Sequence, residues 1–212
     1  YTWRVKNNYQ GPGPNFFSDS SEHARIDSDG SMILTTKPTN GIWRCAEVVI
    51  SEALGYGTYR WQTSTRMDLL DPQIVFSPFL WEYAQCYTGN GWWNPPNEFD
   101  IEFSRWGDPN NLPAQFVAQP YDWWGNLERF DVPPESLLTS ELTWTPDAMH
   151  CAVWTGHADE PSEKTMVHSW TYNGVHLPRP EQPRVHMNLW LINGNPPSNN
   201  QPQSITINAF EF

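Results

Sequence analysis

The fold of this chain is most clearly indicated by one run of alternating side chains, Asn97-Glu98-Phe99-Asp100-Ile101-Glu102-Phe103. On a β-strand, alternate side chains point to the same face, so the three acids share one face and the three apolar residues share the other. One face therefore faces a hydrophobic core, while the other carries three carboxyl groups. The run predicts a strand in a sheet that is buried on one side.

The acidic face of this strand has two interpretations. The simpler one is an amphipathic strand whose acids face water. Two facts weigh against it: acidic residues are poor strand formers, and three carboxyl groups along ~13 Å of strand repel one another. No Lys or Arg lies among them to compensate. A chemical role for the three acids is the second interpretation.

The rest of the chain has the spacing of turn-forming residues that is expected of an all-β domain. Short stretches rich in β-branched and aromatic residues recur between clusters of Pro, Gly, Asn and Asp, which is typical of an antiparallel sandwich or barrel. Asp29-Gly30 predicts a hairpin with a type I′ turn. Only residues 134–142 could form a short helix. The predicted strands are 31–36, 45–51, 57–66, 73–82, 98–105, 113–120, 137–144, 149–155, 166–172, 185–191 and 204–212.

Composition limits the domain count and the function classes. A chain of 212 residues with 13 Trp, 8 Tyr and 10 Phe fits a single folded domain over residues 1–212, and helix bundles and disordered chains have other compositions. A formal charge of −12 with no Lys/Arg run argues against nucleic acid and anionic membranes as partners. Every apolar run is too short to cross a membrane.

Cysteine and histidine give no metal or nucleophile signature. Cys45, Cys86 and Cys151 are too few and too widely spaced for a disulfide framework or a Cys-x-x-Cys zinc site. At most one disulfide is possible, and we expect buried, unreactive thiols. The 6 His lack the spacing of metal ligands. The carboxyl groups therefore remain the best candidates for chemistry.

The spacing of the acids permits one particular reaction. A retaining glycosidase needs two carboxyl groups roughly 5 to 5.5 Å apart, one as nucleophile and one as general acid/base. Glu98 and Glu102 would have Cα atoms ~13 Å apart, and two Glu side chains can lean inward to narrow the carboxyl gap to about 5 to 6 Å. The Asp100 side chain is shorter and would stay below them, where it can hydrogen-bond a neighbouring Glu and, as a nearby like charge, raise the pKa of that Glu.

The same residues carry a family resemblance. Glu98-Phe99-Asp100-Ile101-Glu102 matches the Glu-x-Asp-x-Glu signature of glycoside hydrolase family 16, whose members are concanavalin-like β-jelly-roll enzymes. The chain resembles the lichenases of that family from about Asn15 to its C-terminus. Three further stretches are similar to lichenase elements in the same order: Ala46-Glu47 followed by Gly55-Tyr56-Gly57-Thr58-Tyr59, Trp144-Thr145-Pro146, and Met187-Asn188-Leu189-Trp190.

The resemblance implies a fold, a mechanism and a substrate class. It implies a jelly-roll sandwich of two antiparallel sheets in which Glu98 is the nucleophile, Asp100 the assisting acid and Glu102 the general acid/base. The single-residue spacing resembles the lichenase and xyloglucan-active branch, which favours endo-hydrolysis of β-1,3-1,4-glucan. Three alternatives stay open: a transglycosylase, a hydrolase of β-1,3-glucan, xyloglucan or galactan, and a non-catalytic carbohydrate-binding jelly roll.

The resemblance also implies sugar-binding residues. Trp190 and Asn188 share a strand face and match residues beside the lichenase nucleophile, and Gln119 and Tyr121 fall where lichenases place an Asn and a Tyr. Aromatic rings form platforms for the apolar faces of pyranoses. Five further tryptophans in loops are candidate outer platforms: Trp92, Trp93, Trp106, Trp123 and Trp124.

Some positions depart from the family pattern. Pro96 and Val49 stand where lichenases carry a Trp and an Arg that contact sugar. Asn208 replaces the Asp that many members use for a structural calcium ion, so calcium is the one metal that the resemblance leaves open. We expect no cofactor for catalysis, a polysaccharide as the partner, and a monomeric, secreted protein.

Overall fold

Strands make up most of the chain. The computed structural model describes residues 1–82 and 97–212, which contain sixteen strands and two short 3-10 helices, Met67–Leu69 and Ile192–Gly194. The all-β prediction is confirmed. The strands are Trp3–Val5 (β1), Asn8–Gln10 (β2), Asn15–Phe17 (β3), Ala24–Ile26 (β4), Met32–Thr39 (β5), Ile42–Ala53 (β6), Gly57–Ser64 (β7), Ile74–Trp81 (β8), Phe99–Phe103 (β9), Ala114–Ala118 (β10), Leu127–Phe130 (β11), Leu137–Trp144 (β12), Met149–Thr155 (β13), Met166–Tyr172 (β14), Arg184–Leu191 (β15) and Gln203–Glu211 (β16).

The strands form the two layers of a jelly-roll sandwich. One layer has the order β11-β10-β9-β8-β15-β6, and the other has the order β5-β16-β7-β12-β13-β14. Neighbours within each layer pair in antiparallel fashion. The β5–β6 hairpin joins the layers, and β3 adds a short parallel pair to β6. The predicted fold class is confirmed.

The core lies between the layers and contains the apolar face of β9. Phe99, Ile101 and Phe103 are at most 1% exposed. Phe99 packs on Trp170 of β14 with ring centroids 5.9 Å apart, and Phe116 of β10 stacks on the same indole at 6.4 Å. Each buried aromatic side chain contributes about 1.5–3 kcal/mol of transfer free energy. This packing fixes which way β9 faces and turns its acids to the outer face of the layer.

Each predicted strand is present, and 137–144, 149–155 and 166–172 agree at both ends. The helix considered for residues 134–142 is wrong, because β12 occupies that stretch and pairs with β7 on one side and β13 on the other. The short strands β1 to β4 and β11 were not predicted. Most of their residues are exposed or half-buried, so they lack a clear apolar alternation.

The Asp29-Gly30 turn connects β4 to β5, as predicted, with Ile26 opposite Met32. Its type differs from the prediction: Gly30 has a φ of 88°, whereas Asp29 does not have a positive φ. Asp29 instead accepts a hydrogen bond from the backbone N–H of Ser31 at 2.9 Å. The turn is therefore an Asx-type turn rather than type I′.

The described cysteines are buried free thiols. Cys45 donates a hydrogen bond to Asn15 Oδ1 at 3.3 Å, and burial raises the pKa of this thiol to about 12. Asn15 Nδ2 in turn donates to the Leu191 carbonyl at 2.9 Å, which ties the N-terminal segment to β15. Cys86 lies outside the described residues. In residues 1–82 and 97–212, no helix has the length and apolarity to cross a membrane.

Candidate active site

The acidic face of β9 forms the floor of a cavity of about 590 Å³ on the outer face of one layer. Glu98 immediately precedes β9, and its carbonyl accepts a backbone hydrogen bond from Gln119 at 3.3 Å. The described lining comes from the N-terminal segment and from strands β6, β8, β9, β10 and β15 with their loops. It comprises Lys6, Gln10, Gly11, Pro12, Glu47, Ser77, Phe79, Trp81, Glu98, Asp100, Glu102, Trp106, Gln119, Tyr121, Asn188 and Trp190.

Two glutamine side chains orient the acids of β9. Asp100 and Glu102 are only 3% and 7% exposed, while Glu98 is more accessible. Gln119 donates from Nε2 to Asp100 Oδ2 at 3.1 Å. Gln115 donates from Nε2 to Glu102 Oε2. A carboxylate that accepts such bonds is held in a fixed orientation, so two of the three acids have a defined direction in the cavity.

The three acids perturb one another. The pKa of Glu98 is raised to about 8, chiefly by burial and then by the negative charge of Glu102. Burial also raises the pKa of Asp100, with a further contribution from the charge of Glu98, and it raises that of Glu102, with a contribution from Asp100. Like charges this close cannot all ionise near neutral pH. The site therefore retains protons.

A hydrogen bond between Asp100 and Glu98 shifts their two pKa values in opposite directions. It lowers the pKa of Glu98 and raises that of Asp100, so it favours the carboxylate form of Glu98 over that of Asp100. This bond opposes, without cancelling, the rise of the Glu98 pKa that burial and the Glu102 charge cause. Gln119 also hydrogen-bonds this carboxyl group, at Oδ2 of Asp100.

An ion pair between Glu47 and Lys6 lies in the cavity wall opposite the acids of β9. Glu47 of β6, directly across from Asn188, accepts a hydrogen bond from Lys6 Nζ at 2.7 Å and contacts His186 Nδ1 at 3.0 Å. Lys6 Nζ also donates to the Gly11 carbonyl at 2.6 Å and lies 4.4 Å from the centre of the Phe17 ring. These contacts hold the N-terminal segment against the cavity.

Aromatic side chains line the cavity on two sides. Trp190 and Trp106 meet edge to face with centroids 5.7 Å apart. On another part of the wall, His186 packs against Phe79 at 4.9 Å and against Trp81 at 5.4 Å. Such rings offer apolar faces to a pyranose, and the nearby amides and carboxyl groups can bind its hydroxyl groups.

The structure brings together most of the predicted sugar-binding residues. Trp190, Asn188, Gln119, Tyr121 and Trp106 all line the cavity with the three acids. Gln119 also accepts a hydrogen bond from the backbone N–H of Tyr121 at 3.1 Å, so one side chain links the floor to the rim.

The other predicted platforms are placed differently. Trp123 and Trp124 line a separate hollow of about 280 Å³ together with Trp170, Tyr172 and His176. Trp123 packs edge to face on His176 at 4.7 Å, while Trp124 is fully exposed. Trp92 and Trp93 lie outside the described residues.

Three residues in or beside the cavity were not predicted from the sequence. Gln115 shares a strand face with Gln119, and this two-residue period could have identified it. Glu47 was quoted for the resemblance without a role. Lys6 lies in a segment whose sequence has no periodic pattern, so nothing local indicates that it reaches the cavity.

Asn208 is the position at which the resemblance leaves calcium open. This residue lies at an irregularity in the pairing of β16 with β7, and its Nδ2 is 3.4 Å from Ser31 Oγ. Within the described ranges, no group of three or more His, Cys, Asp or Glu lies together as metal ligands do. Calcium sites are built from several oxygen ligands, commonly carboxylates, and calcium at Asn208 stays a prediction.

No protein-family model matches the chain, and no curated protein sequence does. Solved structures do match it. A Bacillus licheniformis β-glucanase has a TM-score of 0.65 at 19% identity, covering 97% of this chain and 89% of that one. A β-1,3-1,4-glucanase (lichenase) derived from a mouse hindgut metagenome has 0.65 at 17%, covering 97% and 90%.

A third similar structure is an immunostimulatory antigen and pseudo β-1,3-glucanase of Mycobacterium tuberculosis. It has a TM-score of 0.69 at 17% identity and covers 97% of this chain and 88% of that one. Identities this low show the fold alone. The chain has the jelly-roll fold of these β-glucanase structures, which confirms, at the level of the fold, the resemblance drawn from the sequence motifs.

Proposed function

We propose that this protein is a retaining, endo-acting glycoside hydrolase that cleaves β-linked glucan by double displacement. The observation that carries the proposal is the convergence of Glu98, Asp100 and Glu102 in one cavity, with Asp100 hydrogen-bonded to Glu98 and Gln115 to Glu102. The arrangement supplies an anion and a proton donor on the same side of a bound sugar chain.

In the first step, protonated Glu102 gives its proton to the glycosidic oxygen as the bond from that oxygen to the anomeric carbon breaks. The Glu98 carboxylate attacks the same carbon and forms a covalent glycosyl-enzyme. The raised pKa of Glu102 suits it to hold a proton at neutral pH. Asp100 donates a hydrogen bond to Glu98 and so opposes its protonation.

In the second step, Glu102 acts as a base. It takes a proton from a water molecule, whose oxygen attacks the anomeric carbon, and the bond to Glu98 breaks. Glu98 returns to the carboxylate and Glu102 to the acid, so the cycle balances. Two inversions at one carbon give a product with retained configuration.

We propose a neutral β-1,3-1,4-glucan as the substrate. Among the described residues that line the cavity, Lys6 is the one cation, and its charge is held by Glu47. With a formal charge of −12, the protein would repel a sulfated polymer. The cavity reaches from β6 to β10, four strand spacings or ~19 Å, which suits an internal stretch of a chain rather than its end.

A carbohydrate-binding protein without hydrolytic activity is the second candidate. One structure with this fold is named a pseudo β-1,3-glucanase, so the fold alone does not supply activity. The two candidates differ in what the acids of β9 do: hydrolysis requires Glu98 and Glu102, whereas binding does not require a pair of this kind.

The test measures reducing-sugar release from barley β-glucan, lichenan, laminarin, xyloglucan and agarose. We expect the native protein to act on the first two, and Glu98→Gln and Glu102→Gln to lose this activity while binding lichenan. Anomeric proton NMR should show the β-product first, as retention requires. Product sizes over time separate hydrolysis from transglycosylation. A folded native protein that binds lichenan but cleaves none of the five would support the second candidate.

A further inference from the structure

The row of side chains around Glu102 continues beyond the cavity to the edge of the layer. Glu102 of β9 lies directly opposite Gln115 of β10, and Gln115 lies directly opposite Arg129 of β11. Residues in register on neighbouring strands project from the same face. An acid, an amide and a guanidinium therefore follow one another across three strands.

Two atoms in this row lack a hydrogen-bond partner among the described residues. Gln115 donates from Nε2 to Glu102, which turns its Oε1 away from the acid. That oxygen is buried and unpartnered, and so is Nη1 of Arg129. One is an acceptor and the other a donor, on residues directly opposite each other. A direct hydrogen bond or one bridging water between them would satisfy both atoms.

The amide of Gln115 has two orientations, and they favour different forms of Glu102. With Nε2 toward Glu102, the amide donates to the carboxylate. With Oε1 toward Glu102, it accepts from the protonated carboxyl group. The second orientation would turn the amide NH2 toward the Arg129 guanidinium, which has only donors. The cation at the edge of the layer therefore disfavours it.

We propose that Arg129 is a positioning residue that acts on Glu102 through Gln115, by fixing the amide orientation that donates to the carboxylate. The inference rests on the proposed function for its catalytic meaning, since Glu102 is there the general acid/base. The carboxylate of Glu102 is the form that must exist in the second step, when the group accepts a proton from water. Arg129 thus lets one residue serve as acid and then as base.

The other groups around Glu102 do not replace this effect. On its own strand, Asp100 is an acid whose charge raises the pKa of Glu102, and Glu98 lies two residues further along. On β8, the flanking pairs Phe76–Phe103 and Phe79–Asp100 place the uncharged Ser77 beside it. The Gln115 hydrogen bond and the Arg129 charge lower the pKa of Glu102 against these effects.

The test follows the titration of Glu102 directly, without requiring turnover. Carbon-13 NMR of Glu side-chain carboxyl groups, with the Glu102 signal assigned from Glu102→Gln, gives its pKa in the native protein and in Arg129→Met. We expect the pKa to be higher in Arg129→Met and to return toward the native value in Arg129→Lys. The matched control is Arg25→Met, which removes an exposed cation from β4 and should leave the titration unchanged. An unchanged Glu102 titration in Arg129→Met overturns the inference.

A double substitution tests whether the effect passes through the amide. In a Gln115→Met background, or in Gln115→Leu should the first variant not fold, replacing Arg129 should shift the Glu102 titration less than it does in the native background. Equal shifts in both backgrounds would show a direct field effect and would contradict the relay.

The pH dependence of activity provides an independent test. On lichenan, the basic limb of the kcat/KM profile should move to higher pH in Arg129→Met, because Glu102 would keep its proton longer. A native protein that cleaves no glucan, yet shows the titration shift, would refute the proposed function and leave the relay standing. A fall in kcat with an unmoved basic limb would mean that Arg129 has only a structural role.

Discussion

Gln119 Nε2 lies 3.1 Å from Asp100 Oδ2, and this bond attaches the middle acid of the three to the segment that follows β10. The bond also lowers the pKa of Asp100, against the stronger effects of burial and of the Glu98 charge. Gln119 therefore controls both the direction of Asp100 and the ease with which it gives up its proton.

Replacing Gln119 should reduce catalysis with little effect on folding. In Gln119→Met, Asp100 loses a fixed donor and can rotate away from Glu98. A hydrogen bond of this kind contributes about 0.5–1.5 kcal/mol, so kcat/KM on lichenan should fall about 2- to 10-fold. Initial-rate kinetics and thermal unfolding measure the two effects. A drop in melting temperature that accounts for the whole loss would contradict a role in positioning.

The acids of β9 should make stability depend on pH. Their pKa values are raised in the folded state, that of Glu98 from 4.5 to about 8, so the unfolded chain ionises first and stability is lost as pH rises toward the folded values. His23, His176 and His186 have lowered pKa values relative to 6.5, which gives the opposite trend at lower pH.

The free energy of unfolding should therefore fall between about pH 7 and pH 8, where those histidines are mostly neutral in both states. In Asp100→Asn, one of the three carboxyl groups is gone, so the fall should be smaller and the variant should be the more stable protein at pH 8. Urea unfolding at both pH values measures this. The exposed Asp147→Asn provides the control. Parallel pH dependences in the native protein and Asp100→Asn would argue against coupled acids.

Lys6 should matter for both stability and substrate binding. In Lys6→Met, the buried carboxyl group of Glu47 would lose a partner at 2.7 Å, which should lower the free energy of unfolding by about 1–3 kcal/mol. The segment that carries Gly11 and Pro12 would lose its attachment, so KM should rise more than kcat falls. Lys37→Met, which breaks an exposed pair with Glu22 at 3.2 Å, should change stability by less than about 1 kcal/mol. Equal effects of the two substitutions would show that the Glu47 contact has no special weight.

The two tryptophan sites should respond differently to substitution. Trp106 lines the cavity and packs on Trp190, so Trp106→Ala should raise KM for lichenan about 2- to 10-fold, the equivalent of about 0.5–1.5 kcal/mol of aromatic contact. Trp124 lies in the separate hollow, so Trp124→Ala should leave KM unchanged. Isothermal titration calorimetry with a lichenan oligosaccharide gives the same comparison without turnover when both substitutions are made in the Glu98→Gln background. An equal loss of affinity in both variants would show that the sugar chain reaches the second hollow.

Local alternation was sufficient to predict the orientation of β9. The period-two pattern of Glu98 to Phe103 is a property of the strand itself, and the buried phenylalanines could point only toward the other layer. The same argument correctly placed Trp190 and Asn188 on one face of β15, where both line the cavity.

Contacts between segments that are far apart in the sequence could not be predicted from it. Nothing in the order of residues fixes which strand of the sheet lies beside which, so the pairing of Gln115 with Glu102 and Arg129 was not foreseen. Lys6 reaches Glu47 across 41 positions of sequence. Loop tryptophans were equally ambiguous, since a loop does not constrain side-chain direction as a strand does. Trp106 and Trp124 were therefore given one role, and the structure places them at different sites.

The placement of all three acids within five consecutive residues, Glu98 and the first four residues of β9, has a consequence for how such a protein can change. The spacing of the three carboxyl groups is set by the alternation of side chains along five consecutive residues. It does not depend on contacts between separate segments of the chain. Substitutions in the surrounding walls can alter which polymer fits while the distances among the carboxyl groups stay the same. A single residue inserted in β9 before Glu102 would turn Glu102 toward the core and Phe103 toward the cavity, unless a β-bulge took up the extra residue. Specificity can therefore vary through the walls at a fixed strand length, whereas a change in that length requires a compensating bulge.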